Sequence, residues 1–208
     1  MSATFTPIRM SRELIAETAA MMGRALADDP LFVYVLPDPI QRALGVPAMM
    51  ETSLRIGLVH GEVWTTPLPI AGVAVWQSPS HPKITEEDRD AAGWREVGVA
   101  WGTEAFARFQ QFAADMRDLP AEEPHWHLNW LCVDPDDQGQ GIGSTLVRQM
   151  TARVGAEGLG CHLFTFAQHN VAIYEHLGFG VAADTVLPRT GLRLWTMVRS
   201  PAVPRSAR

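Results

Sequence analysis

VDPDDQGQGIGSTLV, Val133 to Val147, decides how the rest of the chain is read. An apolar run ends in a proline and three acidic residues. Gly139, Gly141 and Gly143 then stand at every second position, and a helical pattern begins. A strand that enters a helix through such a turn points several unsatisfied first-turn amides at one spot, and the helix dipole adds positive character there. A diphosphate is the natural occupant, and glycine lets its oxygens approach the backbone closely. Glycines are also common turn punctuation. Two phosphate patterns are excluded. Ser144, not lysine, follows Gly143, and G-x-G-x-G does not fit the dinucleotide fingerprint. What fits is Q-x-x-G-x-G at Gln138, Gly141 and Gly143.

Outward from this turn, strand and helix patterns alternate. HWHLNWLCV reads as a long strand before it, and GIGSTLVRQMTARVGAEG as the helix after it, stopped by Gly155 and Gly158. CHLFTFA, NVAIYEHLG, VAADTVL and LRLWTMV continue as strand, short helix and two closing strands. Upstream, a helix is expected over SRELIAETAAMMGRALADDP with Ser11 as N-cap. LFVYVLPDP reads as a loop or short helix, and a second helix as running from about 41 to 60 and ending at Gly61. EVWTT and IAGVAVWQ form a strand pair. Residues from about 82 to 122 read as a polar helical insertion, useful as a wall or lid. The expected fold class is α/β with at least one parallel strand pair, as one domain over 1–208 with a frayed tail at 200–208.

Composition excludes several function classes. With 208 residues, 47% hydrophobic and 19% charged, the chain has an ordinary globular make-up. A net charge of −6 argues against a nucleic-acid backbone as partner. No stretch is long enough to span a bilayer, and MSATFTPIRMSREL lacks a signal's apolar run, so no membrane partner and a cytoplasmic location are expected. Cys132 and Cys161 read as free buried thiols. His125, His127, Cys132, Cys161 and His162 match no recognised zinc spacing, so no metal is expected.

The glycine turn after a strand ending V-x-P, followed by Asn170, Ile173, Tyr174, Leu177, Gly178 and Phe179, resembles the GNAT superfamily of N-acetyltransferases. Ala172 lies one place off that family's commonest alanine position. The resemblance runs over about residues 8 to 200. It is nearest the puromycin N-acetyltransferase-like branch, through HWHLNWLCVDPDDQGQGIG, the AVW strand and LWTMVR.

The resemblance implies a mostly antiparallel central sheet with a splayed parallel pair, and transfer of an acetyl group from acetyl-CoA to an amine. It implies that Gln138, Gly139, Gln140, Gly141, Ile142, Gly143 and Ser144 line the pyrophosphate. It also implies that Leu131, Cys132 and Val133 lie along the pantetheine, with Asn170 near that arm and Tyr174 near the sulfur. Tyr174 is then the expected acid, since phenol and thiol differ modestly in ordinary pKa, about 10 against about 8.5. Phe164, Thr165 and Phe166 depart from the family, whose members often carry a glutamate on this strand.

Candidates for a base are His125, His127 and Asn129, expected to alternate along one strand face with Trp126 and Trp130 on the other. His127 and Asn129 are placed with Tyr174 in the catalytic set. A small-molecule amine acceptor is expected against ADDPLFVYVLPDP, where Asp28, Asp29, Phe32 and Tyr34 put carboxylates beside aromatics, with Trp76 as a further wall. The alternatives are a protein or peptide N-acyltransferase and a catalytically silent acyl-CoA-binding module. A homodimer is left open.

Overall fold

The computed structural model describes residues 5–80, 83–119 and 125–201. The expected insertion limits at 82 and 120–122, and the tail from 202 on, lie outside them. Seven strands form one sheet in the order β1-β2-β3-β4-β5-β7-β6: β1 (Ile8–Arg9), β2 (Gly61–Thr65), β3 (Gly72–Gln77), β4 (Trp126–Val133), β5 (Cys161–Thr165), β6 (Gly180–Val186) and β7 (Arg193–Arg199). Every adjacent pair is antiparallel except β4 and β5. Only β1 was illegible in the sequence, where two residues carry no period.

On one face of the sheet lie α1 (Ile15–Ala25), α2 (Pro30–Val35), α3 (Pro39–His60), α4 (Glu86–Ala91) and α5 (Trp94–Arg117). Their core includes Met22, Phe32, Met50, Leu54, Val73, Val75, Trp101 and Cys132. On the other face α6 (Ile142–Ala156) and α7 (Gln168–His176) bury Leu146, Met150, Val154, Tyr174 and Leu177 against Ala74, Trp76, Leu128 and Met197.

Caps explain the short early helices. Asp29 accepts from Leu31 N at 2.9 Å at the start of α2, and Asp38 from Gln41 N at 2.8 Å at the start of α3; each helix opens on a proline. Ser11 makes no side-chain cap, and a 3₁₀ turn over Arg12–Leu14 precedes α1 instead. Thr85 and Asp88 form a capping box for α4. The expected helical insertion is α4 and α5, the latter kinked at Gly102, which has φ 74°.

β4 does not keep a period of two. Trp76 faces Leu128 and Val75 faces Trp130, so Asn129 is an extra residue with no partner on β3. The bulge shifts the alternation by one. Trp126 and Leu128 join the α6 side, whereas Trp130 packs with the α1–α3 core. This corrects the expectation that Trp126 and Trp130 share a face, which assumed an unbroken pleat.

Candidate active site

The bulge lies where the sheet opens. β4 and β5 pair only through Trp126–Cys161, His127–His162 and Leu128–Leu163. From Asn129 to Val133 the β5-facing edge of β4 has no strand beside it, while β5 continues against β7 as far as Thr165. An exposed row of backbone donors and acceptors is a template for an extended ligand with amides of its own. Leu131, Cys132 and Val133 occupy that edge.

At its far end is the glycine turn. Gly139 and Gly141 have φ of 76° and 84°, a left-handed backbone that other residues resist. Gly141 occupies the N-cap of α6 and offers no side-chain cap, and the first turn holds no acidic residue. The amides of that turn are thus left for an outside acceptor. Gln138, Gly139 and Gln140 are exposed around them, and Ile142, Gly143 and Ser144 form the turn itself. The neighbouring carboxylates are engaged elsewhere. Asp134 is ion-paired with Arg24 of α1, whose guanidinium holds its carboxyl below the usual range, and Asp137 accepts from Gln140 at 3.3 Å. The geometry fits a diphosphate.

At the near end lies α7, which carries Asn170 and Tyr174. Tyr174 is 8% exposed, edge-on to Phe179 with centroids 6.0 Å apart. Burial, then the Cys132 thiol and the Asp29 carboxylate, push its phenol well above the ordinary value. Asn170 donates to Thr165 Oγ1 at 3.2 Å, which fixes the start of α7 on the end of β5. Asp29 is half-buried and Asp28 exposed. Burial raises the Asp29 pKa, opposed by donors at Leu31 and Phe32 and by the charge of His169.

Two expected acceptor contacts do not hold. Phe32 is 0% exposed, its ring stacked on Trp130 at 5.9 Å, so it supports that indole rather than offering a surface. Trp76 is also 0% exposed and lies in the core under α6, on the sheet face away from α2. Both were chosen for aromaticity, a property that cores use equally well. Tyr34 donates from its hydroxyl to Gln111 Oε1 at 2.8 Å, joining α2 to α5.

The histidines form a group of their own. His127 and His162 have ring centroids 4.3 Å apart and line a cavity of roughly 370 Å³ with Gln77, Lys83, His125 and Asn129. Burial, then His162, push His127 down to about 3, against a hydrogen bond with Asn129. Burial, then His125, push His162 down to about 4. Both are neutral at pH 7. A group that holds a proton so weakly makes a poor base toward an ammonium ion, which argues against the expected role of His127. Among the described residues no group of three or more His, Cys, Asp or Glu is placed to hold a metal.

These shifts predict an acid weakness. Each folded value lies below the unfolded 6.5, so the unfolded chain binds protons first as pH falls. The histidine contribution is therefore complete above pH 6.5 and lost on the way down to the folded values. For His127 the slope is roughly 1 kcal/mol per pH unit between pH 6 and 4. His127→Gln should flatten the fall of Tm over that window, measured by thermal melts at constant ionic strength.

Residues 93–181 match a family model described as an acetyltransferase (GNAT) domain. Over those residues the chain is similar to that domain. The enzyme class that goes with it is N-acetyltransferase. An uncharacterised N-acetyltransferase of Schizosaccharomyces pombe is 25% identical over 202 residues, covering 92% of this chain and 81% of its own. Among solved structures, a histone acetyltransferase HPA2 and related acetyltransferase from Corynebacterium glutamicum superposes with a TM-score of 0.70 at 22% identity, covering 99% of each chain. Arylalkylamine N-acetyltransferase 2 from Aedes aegypti gives 0.59 at 13% identity, covering 96% of this chain and 100% of its own. At these identities the structures establish a shared fold.

Two supports of the candidate site escaped the sequence reading. Buried Arg42 of α3 donates to the carbonyls of Ala27, Leu36 and Pro37 at 2.5, 2.7 and 3.1 Å, fixing the loop that carries Asp29. Buried Asp115 of α5 accepts from the backbone of Arg189 and Thr190 at 3.0–3.2 Å and from both side chains. The β6–β7 connection is thereby fixed to the insertion. Phe166, just past the end of β5, packs edge-on to Phe112 of α5 at 5.6 Å. A buried charge in a polar helix was the available signal for Asp115, but its partner lies 74 residues away.

Proposed function

We propose that this N-acetyltransferase moves an acetyl group from acetyl-CoA to the primary amine of a small, partly apolar molecule, with both substrates bound together. The observation that carries this reading is the unpaired edge of β4, with an uncapped helix start at one end and Tyr174 at the other. The thioester supplies an activated acyl carbon. The chain's own groups do the rest. The first-turn amides of α6 and the glycines of Gln138–Ser144 would take the pyrophosphate. The free edge at Leu131, Cys132 and Val133 would pair with the pantetheine amides, and Asn170 would border that arm. The Tyr174 phenol, kept protonated by burial, would give its proton to the departing sulfur.

An acceptor of limited size is supported by the walls. α5 is joined to α2 through Tyr34 and Gln111 and to the β6–β7 connection through Asp115, which narrows the approach that an extended peptide needs. The likeness of residues 125–143 and 194–199 to the puromycin N-acetyltransferase-like branch supports a free small amine as well.

The test is thiol release from acetyl-CoA across a panel of amines, including puromycin-like nucleosides and arylalkylamines, with mass detection of the product. Amine-dependent thiol release is the expected result. A raised Tm with acetyl-CoA and no turnover with any amine would instead point to a silent acyl-CoA binder. Gly141→Ala should raise the Kd for acetyl-CoA about tenfold and cost roughly 1–2 kcal/mol of stability, because its φ of 84° is strained for any side chain. Isothermal titration and thermal melts measure the two effects.

A further inference from the structure

We propose that Arg24, in the last turn of α1, is a positioning residue for the acyl donor: through Asp134 it holds the turn that would receive the diphosphate, a role that rests on the acetyl-CoA reading above. Three carboxylates, Asp134, Asp136 and Asp137, stand directly before the glycines of that turn, where an incoming diphosphate would meet negative charge. Asp134 is the buried one of the three. Its Oδ2 accepts from the Arg24 guanidinium and its Oδ1 from Asp136 N at 3.3 Å, while its backbone carbonyl accepts from Asp137 N at 2.9 Å. One residue thus joins α1 to the 3₁₀ turn Pro135–Asp137, which leads straight into Gln138.

Both partners stand on fixed backbone. Asp134 N donates to Ala71 O at 2.9 Å, and at the next residue, Gly72, an added Cβ would come within 2.7 Å of Ile142 Cγ2. The two ends of the turn, Asp134 and Ile142, are therefore seated at one point, the start of β3. Arg24 has a comparable footing. Met21 and Met22 before it are buried, and Gly23 lies so close to α3 that a Cβ would meet Pro47 Cγ at 2.7 Å. Just beyond α1, Arg42 of α3 donates to the carbonyl of Ala27. Between the anchored ends of the turn run Gly139 and Gly141, both left-handed, and nothing lies within 4 Å of where a Gly139 Cβ would be. That freedom lets the amides approach a ligand and equally lets them stray.

Without Arg24, Asp134 is a buried carboxylate with the Asp136 amide as its one remaining donor among the described residues. Such a charge turns toward solvent or draws water in, and either movement carries Pro135–Asp137 and the amides behind them along. It also faces the diphosphate uncancelled. In the intact pair the Arg24 hydrogen bond outweighs burial and, with the Asp136 amide, holds the Asp134 carboxyl below the usual range. A misplacement of about 1 Å at a binding group costs on the order of 100-fold in rate. Because Arg24 acts through Asp134, the two form one unit, and the effects of replacing them do not add.

Arg24→Ala should raise the Kd for coenzyme A about tenfold by calorimetry, and Arg24→Lys should recover part of the loss. The Tm should fall by no more than roughly 4 °C, because Arg24 itself is exposed. Dephospho-coenzyme A, which keeps the diphosphate and lacks the ribose phosphate, should weaken by the same factor. In Asp134→Ala protein, the Arg24 change should alter either Kd by less than about twofold. With an amine that the wild type acetylates, KM for acetyl-CoA should rise at nearly constant kcat, and kcat/KM for S-acetylpantetheine, which has no diphosphate, should not move. Arg24→Ala with the wild-type Kd overturns the assignment. So do additive effects of the Arg24 and Asp134 changes, or a loss confined to coenzyme A, since both make Arg24 a direct phosphate ligand. An equal loss with S-acetylpantetheine overturns it as well, by making the ion pair merely structural. The comparisons between ligands need only Arg24→Ala, so they decide the matter even if Asp134→Ala does not fold. Wild-type protein that binds no coenzyme A overturns the acetyl-CoA reading itself, and this assignment with it.

Discussion

Tyr174→Phe is expected to lower kcat about 10²–10⁴-fold while leaving the fold and the acetyl-CoA Kd nearly unchanged. The ring lies in the core between α7 and the sheet, edge-on to Phe179, and phenylalanine fills the same space. Only the hydroxyl is lost, and with it the proton proposed for the departing sulfur. The pH dependence distinguishes this acid from others. The folded pKa is raised by burial and by Cys132 and Asp29, so the proton stays on through the alkaline range in which a free phenol would lose it. Wild-type kcat should therefore show no alkaline decline from tyrosine ionisation up to about pH 10. A rate within threefold of wild type for the variant would remove Tyr174 from the mechanism.

The second large effect is on stability. Asp115→Ala should cost about 2–4 kcal/mol, because it leaves the backbone donors of Arg189 and Thr190 and the Arg189 guanidinium without their buried acceptor. For a chain of this length that corresponds to a Tm lower by roughly 5–15 °C. Burial would raise the Asp115 pKa, but donors from Arg189 and Thr190 outweigh it and hold the value below the ordinary one. The sign follows from that. The contribution is present above the unfolded pKa, about 4, and is lost as pH falls through the lower folded value. The gap between wild type and variant should accordingly hold from pH 8 to 5 and close only in strong acid. Because Asp115 fixes the β6–β7 connection beside the proposed acceptor approach, the variant's KM should rise for the amine more than for acetyl-CoA. Equal changes in both would show that the clamp only stabilises the fold.

Much of the site was legible because it is local. A glycine-rich turn between a strand and a helix is spelled in consecutive residues, and its unsatisfied amides follow from backbone geometry alone. Gly139 and Gly141 take the left-handed backbone that such a turn demands. Asp29 and Tyr34 were picked out as a carboxylate beside an aromatic; in the structure the first caps α2 and the second links α2 to α5. Aromatic identity was a weaker guide. Phe32 and Trp76 carry the same chemistry whether they face a ligand or a core, and both are in the core.

By itself the sequence determined the order of β2 to β7 and the helices between them, the glycine turn before α6 and the presence of a tyrosine on the helix after β5, because each depends on neighbours in the chain. Only the tertiary structure decided three things. The bulge at Asn129 re-aims β4 and reverses the faces of Trp126 and Trp130, since the extra residue is defined by what lies opposite on β3. The parting of β4 from β5 after Leu128 depends on two strands whose paired residues lie 35 positions apart ceasing to pair. The clamp of Asp115 on Arg189 and Thr190 joins residues 74 and 75 positions apart, and no period or motif encodes it, because the distance is closed by the packing of α5 against the β6–β7 connection.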